Sequence, residues 1–416
     1  MYQIIALPVL MILGLRTIEK ISNYPYLLMG NFVLSVATRF FERQVVLGFG
    51  ALSLFNNDIT IIFLLIAMLA HHKCFTVRKK MVNMLTVTTL VMTIYSMCMG
   101  LSENGFNSWW LYDVRKFLFH IVLIIFASTI NVQLNLYKVK RWAERVAYAL
   151  VIYIYIATVV HFVFGMQIGI YTDERPLVSH YAITLVVYIL YEVYCQLYKQ
   201  ERPNISLKTM FAILAVVVNR YNTTWVAMFV GIAFLIVFMP NKVKLMNRKF
   251  IAQCACAVGC LLVLQKVFGD SNVMDAIVAT GDKFNKMEEQ DSTFSSRVEL
   301  WVAMISSLKN TSILTGFSMG SGYYVNYRGT IWQFNPHNGY VETIMRLGII
   351  GCASLIITYL HCIIATVKRH RYLETAAVLA MACYFVAYTY EFELSFILGV
   401  IMGNLINKEY VGEELL

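Results

Sequence analysis

Long apolar runs without a charge recur along the whole chain, for example over residues 82–99 and 222–240, and this constrains the fold more than any other feature. Inside lipid every backbone N–H and C=O must be satisfied within the structure, which leaves helices or closed barrels. The runs lack the apolar/polar alternation of a barrel strand, so they read as helices. With 59% apolar and only 14% charged residues over 416 positions, the chain reads as an all-α polytopic membrane helix bundle, a single membrane domain over residues 1–416. Candidate spans lie near 1–15, 25–38, 44–56, 58–72, 82–99, 115–135, 146–166, 179–197, 206–219, 222–240, 249–268, 340–367, 374–391 and 394–407. Several fall short of the roughly 20 residues that a span needs, so about 12 to 14 spans are expected. The apolar opening, Met1 to Leu15, has no basic residues before it and no small-residue cleavage site, so no cleavable signal is expected.

The net charge of +10 does not point to nucleic acid, because the basic residues cluster between apolar runs instead of along one face or tail. The clusters are Lys73 with Arg78, Lys79 and Lys80; Lys138, Lys140, Arg141 and Arg145; Lys199, Arg202 and Lys208; Lys242, Lys244, Arg248 and Lys249; and Lys368, Arg369 and Arg371. By the positive-inside rule they are cytoplasmic. Residues 269–340 then form one large loop on the periplasmic or outer side, together with the turns at 101–116, 171–179 and Arg220. Trp109, Trp110, Tyr112 and Tyr171 near these turns fit an interfacial aromatic belt. The nine cysteines lie in or beside apolar runs and none lies in the loop. Cys254, Cys256 and Cys260 give neither a zinc site nor a disulfide framework, since Cys-x-Cys side chains point about 200° apart on a helix. His120, His161 and His361 fall inside spans and read as packing residues.

The large loop carries the chemistry. Ser296-Arg-Val-Glu299 has capping-box spacing and predicts a short surface helix with Val298, Trp301, Ile305 and Leu308 as its apolar face. Arg297 would then stand in its first turn, where the guanidinium fork and the free N–H groups suit a phosphate; pairing with Glu299 or a headgroup is the other reading. Gly316, Gly320 and Gly322 follow in a run dense enough to wrap a phosphate or simply to turn the chain, and Gly320 and Gly322 are counted with the substrate-binding candidates. Asn335-Pro336 predicts a helix start that puts His337 in the first turn, where the dipole keeps the imidazole neutral and able to accept a proton. Glu342 and Arg346 stand four apart on that helix, are expected to pair with each other, and join Asn338 as substrate-binding candidates. Arg220, in a short outer turn that Asn222 or Thr223 can cap, is a second candidate anion ligand. Glu391 and Glu393, at the outer end of a span, are costly enough in lipid to count as functional candidates, unless they reach interfacial water.

His337-Asn338, nine residues and Gly348-Ile-Ile-Gly351 resemble the motif of the bacterial O-antigen ligase and O-antigen polymerase superfamily. Ser296-Arg297-Val-Glu-Leu-Trp301 is similar to the segment preceding that motif, and Asn219-Arg220-Tyr221 takes the place of the family's other outer arginine, although the family more often has serine before it. The resemblance implies a metal-free, cofactor-free glycosyltransferase of the inner membrane. Its substrates would be undecaprenyl-diphosphate-linked oligosaccharides, with a polysaccharide chain-length regulator as a possible partner and its site facing the periplasm. It also implies the roles: His337 as base or acceptor-orienting group, Arg297 and Arg220 on the leaving diphosphate. A repeat-unit polymerase is the first reading, because polymerases vary with each repeat unit; a ligase onto lipid A core would use the same residues. A lipid-linked oligosaccharide flippase is a third reading, but it predicts internal repeats and polar residues lining several spans.

Overall fold

A computed structural model describes residues 2–40, 45–49, 52–75, 80–166, 175–199, 205–219, 221–238, 293–308, 313–327, 330–333 and 335–406. The candidate span at 249–268, the 242–249 basic cluster, Tyr171 and Arg220 lie outside the described residues. Among the described residues five helices are long and apolar enough to cross a membrane, and five shorter apolar helices accompany them. The protein is an all-α, multi-pass membrane protein. The chain divides into two compact units, residues 1–77 with 128–270 and 407–416, and residues 78–127 with 271–406.

In the first unit, α1 (Tyr2–Glu19), α2 (Tyr24–Ala37) and α3 (Asn56–Ala70) pack on one another, and α6 (Leu136–Phe164) joins α7 (Ser179–Tyr198), α8 (Leu207–Val218) and α9 (Asn222–Val237). The candidate span at 44–56 is instead a hairpin, β1 (Leu47–Phe49) paired antiparallel with β2 (Leu52–Leu54). A short apolar run is ambiguous between helix and strand by its periodicity alone. Before the turn at Arg220, buried Asn219 accepts from Leu177 N–H at 2.7 Å and donates to Leu177 C=O at 2.9 Å. Helix α9 begins after Tyr221, which occupies the cap position with no side-chain cap, so neither Asn222 nor Thr223 caps it.

In the second unit, α4 (Lys80–Asn104) and α5 (Ser108–Thr129) precede α10 (Thr293–Ser307), the hairpin β3 (Tyr324–Tyr327) and β4 (Thr330–Gln333), and α11 (Gly339–Lys368), α12 (Tyr372–Tyr384) and α13 (Phe392–Ile406). Helix α11 packs along α4 and against α12 and α13. Its start differs from the Asn335 cap read in the sequence. Asn338 is the cap, its Oδ1 accepting from Tyr340 N–H and Val341 N–H, each at 3.0 Å. Pro336 lies ahead of the helix instead of opening it.

Helix α11 is also broken. Gly348 has φ 65° and ψ −171°, a conformation open only to glycine, and a Cβ there would strike the Leu314 carbonyl. The turn at 313–317 lies in that break. Phe317 N–H donates to Met345 C=O at 2.6 Å and Ile349 N–H donates to Ile313 C=O at 3.0 Å, so the groups freed by the break are satisfied by the loop.

Candidate functional site

The capping-box reading places the start of the loop helix at Ser296, but α10 starts at Thr293, which moves Arg297 from its first turn to its second. The free N–H groups of the helix start are therefore not beside Arg297, and its value for an anion rests on the guanidinium alone. The buried face is the expected one in part: Leu300, Met304 and Leu308 pack with Tyr323, Val325, Val341 and Met345, Trp301 and Ile305 pack against them, and Val298 is exposed. Residues four apart along a helix share a face, and that face here rests on the hairpin and the first turns of α11. Trp301, one turn beyond Arg297, donates from its indole to Pro336 C=O at 2.7 Å. This contact brings Arg297 to His337.

His337 stands just outside α11 with φ 44°, in the left-handed region, its N–H donating to Asn335 Oδ1 at 3.3 Å. Backbone strain in a non-glycine residue persists only where its surroundings over-determine it. Asn335 is itself held from the other side, its amide donating to the Tyr112 hydroxyl at 3.1 Å. The imidazole keeps part of its surface open to solvent, and its pKa is pushed below the usual histidine range. Partial burial is the main cause, followed by the charges of Arg297 and Lys116, with Glu342 opposing them. The shift favours the neutral form, as the sequence reading expects, but through burial and neighbouring cations instead of a helix dipole.

Beneath this open edge lies a closed polar cluster. Glu342 and Arg346 are both fully buried, and they do not form the pair read from their spacing. Glu342 takes Lys116 Nζ at 2.7 Å, and Arg346 takes Asp113 Oδ2 at 2.9 Å, both partners coming from α5. The Tyr323 hydroxyl donates to Glu342 Oε1 at 2.9 Å and lies 3.3 Å from Asp113 Oδ1; burial pushes its pKa well up, so it remains a donor. Arg346 also donates to Ser318 C=O at 3.1 Å, Ser321 Oγ at 2.6 Å and Gly322 C=O at 3.0 Å, with its guanidinium 4.1 Å from the Tyr323 ring centroid.

The glycine run is turned inward by these contacts. Gly320 N–H donates to Asp113 Oδ2 at 3.0 Å, so a carboxylate occupies the group that a phosphate would need. Asn104 donates to Ser318 Oγ and Met319 C=O, at 3.0 and 3.1 Å, and Asn107 donates to Gly320 C=O at 3.2 Å. Gly320 has φ 87° and a Cβ there would meet the Trp110 side chain, so backbone freedom and close approach account for it. The structure therefore brings His337 and Arg297 together at an open edge, and spends Asn338 on a cap and Gly320, Gly322 and Arg346 on the support below. Glu342 bridges the two levels, paired with Lys116 and felt by His337.

Sequence reasoning missed Asp113, Lys116 and Tyr323. The signal available for the first two is the run Tyr112-Asp-Val-Arg-Lys116 at the head of an apolar helix, which by its sequence alone reads as a plain outer turn. Trp109, Trp110 and Tyr112, expected as an interfacial belt, pack on or bond to the loop: Trp109 against the α10 core, Trp110 beside Gly320, Tyr112 to Lys116 and Asn335. His120 is a packing residue as expected, hydrogen-bonded to Ser395 Oγ at 2.7 Å. Residues 209–356 match the family model described as O-antigen ligase. No curated protein matches the chain.

Proposed function

We propose that this chain, whose residues 209–356 match the family model described as O-antigen ligase, is the polymerase that lengthens a surface polysaccharide. In this reading it transfers glycan from an undecaprenyl diphosphate carrier to a sugar hydroxyl of another lipid-linked repeat unit. The family match carries a ligase- or polymerase-like glycosyltransferase; the choice of polymerase rests on the variety of repeat units such enzymes serve. The observation that supports the chemistry is His337, held in a strained conformation beside Arg297 with its imidazole kept neutral.

In the proposed step the acceptor hydroxyl gives its proton to neutral His337 as its oxygen bonds to the anomeric carbon of the donor. The bond from that carbon to the diphosphate oxygen breaks, and the diphosphate leaves with its charge held by Arg297; the sequence resemblance assigns Arg220 the same role. Lys116, paired with Glu342, lowers the imidazole's proton affinity from below. Two arginines meet the leaving group, so the step is written without a metal. The site faces the periplasm in this scheme, because the basic clusters set the opposite side as cytoplasmic.

The family description favours a second reading, a ligase that moves a finished chain onto lipid A core. The glycan gel of a deletion strain separates the two. Core bearing a single repeat unit is the expected result. Unmodified core with full-length chains left on the carrier would show a ligase instead.

A further inference from the structure

The first unit holds a feature that the proposed transfer does not use, a cavity of about 810 Å³ between the C-terminal end of α1 and the first turns of α6. Arg16, Lys138, Arg141 and Arg145 line it, against the single carboxylate of Glu19. Among the described residues none of the four cations makes an ion pair. Lys138, Arg141, Trp142 and Arg145 follow the i, i+3, i+4, i+7 spacing of one helical face, so the charges converge on one groove. Lys140, from the same basic cluster, points elsewhere and lies over the Tyr191 ring at 5.2 Å.

Topology alone does not explain this arrangement. The positive-inside rule needs cations near the end of a span, in any direction. Here Lys138 stands in the first turn of a helix, where the dipole disfavours positive charge, and Arg141 and Arg145 follow it on the same face one and two turns on. A bound anion would relieve both the crowding and the dipole. Tyr26, Tyr137 and Trp142 add the aromatic groups that sit at headgroup level in a bilayer, and the Arg145 guanidinium lies 5.7 Å from the Trp142 ring centroid. On α1, Leu15 beside Arg16 and Ile12, one turn toward the middle of that candidate span, are exposed, and Leu13 lines the groove. An apolar track thus leads from the groove into the membrane, which a soluble anion would not use and acyl chains would.

We propose that this groove binds the phosphate headgroup of an anionic phospholipid of the inner leaflet, with Arg16, Lys138, Arg141 and Arg145 around the phosphate and the acyl chains lying along α1. Basic pockets between spanning helices on the cytoplasmic side recognise such headgroups, each cation near the surface contributing roughly a fivefold gain in binding.

The test uses the purified full chain in maltoside micelles doped with brominated phosphatidylglycerol or with brominated phosphatidylcholine, reading tryptophan quenching and using Trp142→Phe to isolate the groove signal. The expected result is quenching of the Trp142 component at a phosphatidylglycerol fraction on the order of tenfold below that for phosphatidylcholine. Arg141→Gln with Arg145→Gln should raise the required fraction by about tenfold or more, and Lys140→Gln should leave it unchanged. Equal quenching by the two lipids in the wild-type chain overturns the proposal whether or not the double variant folds. So does displacement of phosphatidylglycerol by millimolar inorganic phosphate, which would mark a soluble-anion site, or a double variant that behaves as wild type.

Discussion

Replacing Arg346 separates a supporting role from a substrate-binding one. Arg346→Gln removes a guanidinium that is fully buried, ion-paired to Asp113 at 2.9 Å and hydrogen-bonded to Ser318, Ser321 and Gly322. Charge-assisted bonds of this kind contribute about 1.5–3 kcal/mol each when taken singly, but they share one side chain and do not add. The governing cost is the buried Asp113 carboxylate left without its cation, about 3–5 kcal/mol. For a unit of this size that corresponds to a fall of about 6–20 °C in the unfolding midpoint. The assay is thermal unfolding of purified protein in detergent, with limited proteolysis across residues 313–333 and donor binding measured below both midpoints. Asp113→Asn combined with Arg346→Gln should cost less than the two single changes summed, by roughly 0.5–3 kcal/mol, because each removes the other's unpaired charge. An unchanged midpoint with donor binding selectively lost would refute the reasoning and put Arg346 on the diphosphate.

Three further outcomes follow from the geometry. His337→Ala should lower turnover by roughly 10²-fold to 10⁴-fold with donor binding largely kept, and full-length product from matched membrane levels would remove the histidine from the chemistry. Because the pKa of His337 is lowered, its neutral form persists below the ordinary histidine range and the rate falls only as pH drops through the lowered value. Arg297→Gln removes the larger of the two opposing charges, so the acid limb of the kcat/KM profile should move to higher pH; an unmoved limb would show that the two side chains do not face each other. Gly348→Ala places a Cβ against Leu314 C=O in a glycine-only conformation and should destabilise the protein by about 1–3 kcal/mol or more, read as a lower midpoint; wild-type stability would mean that the break is not held as described.

The membrane helices were legible because apolar length is a strong, local signal, and most helix ends fell within a few residues of the apolar runs. The loop was legible only as a place. The hairpin at 324–333 has no clear signal in the pattern, and α10 starts three residues before the capping-box position; of its expected apolar face Trp301, Ile305 and Leu308 pack, joined by Leu300 and Met304, and Val298 does not. Nor do Glu342 and Arg346 pair with each other as their spacing suggests. Spacing shows that two charges share a helix face, while their partners came from a helix more than 200 residues earlier. His337 and Arg297 stand out in the sequence through the motif that carries the resemblance, and the structure puts the Arg297 charge within reach of the imidazole. Asp113 and Lys116 do not stand out, since nothing local distinguishes them from charges at an ordinary span end.

The break at Gly348 gives the nine residues between it and Asn338 a meaning beyond their identities. One end of the stretch is a cap beside His337, and the other is a notch filled by the turn at 313–317. Each residue added or removed between them rotates one end against the other by about 100° and shifts it by about 1.5 Å. Glu342 would then turn away from Lys116, or the notch away from Phe317. The stretch works as a ruler: many of its side chains can be exchanged one for one, but a single insertion or deletion should uncouple the histidine from the membrane helix that carries it.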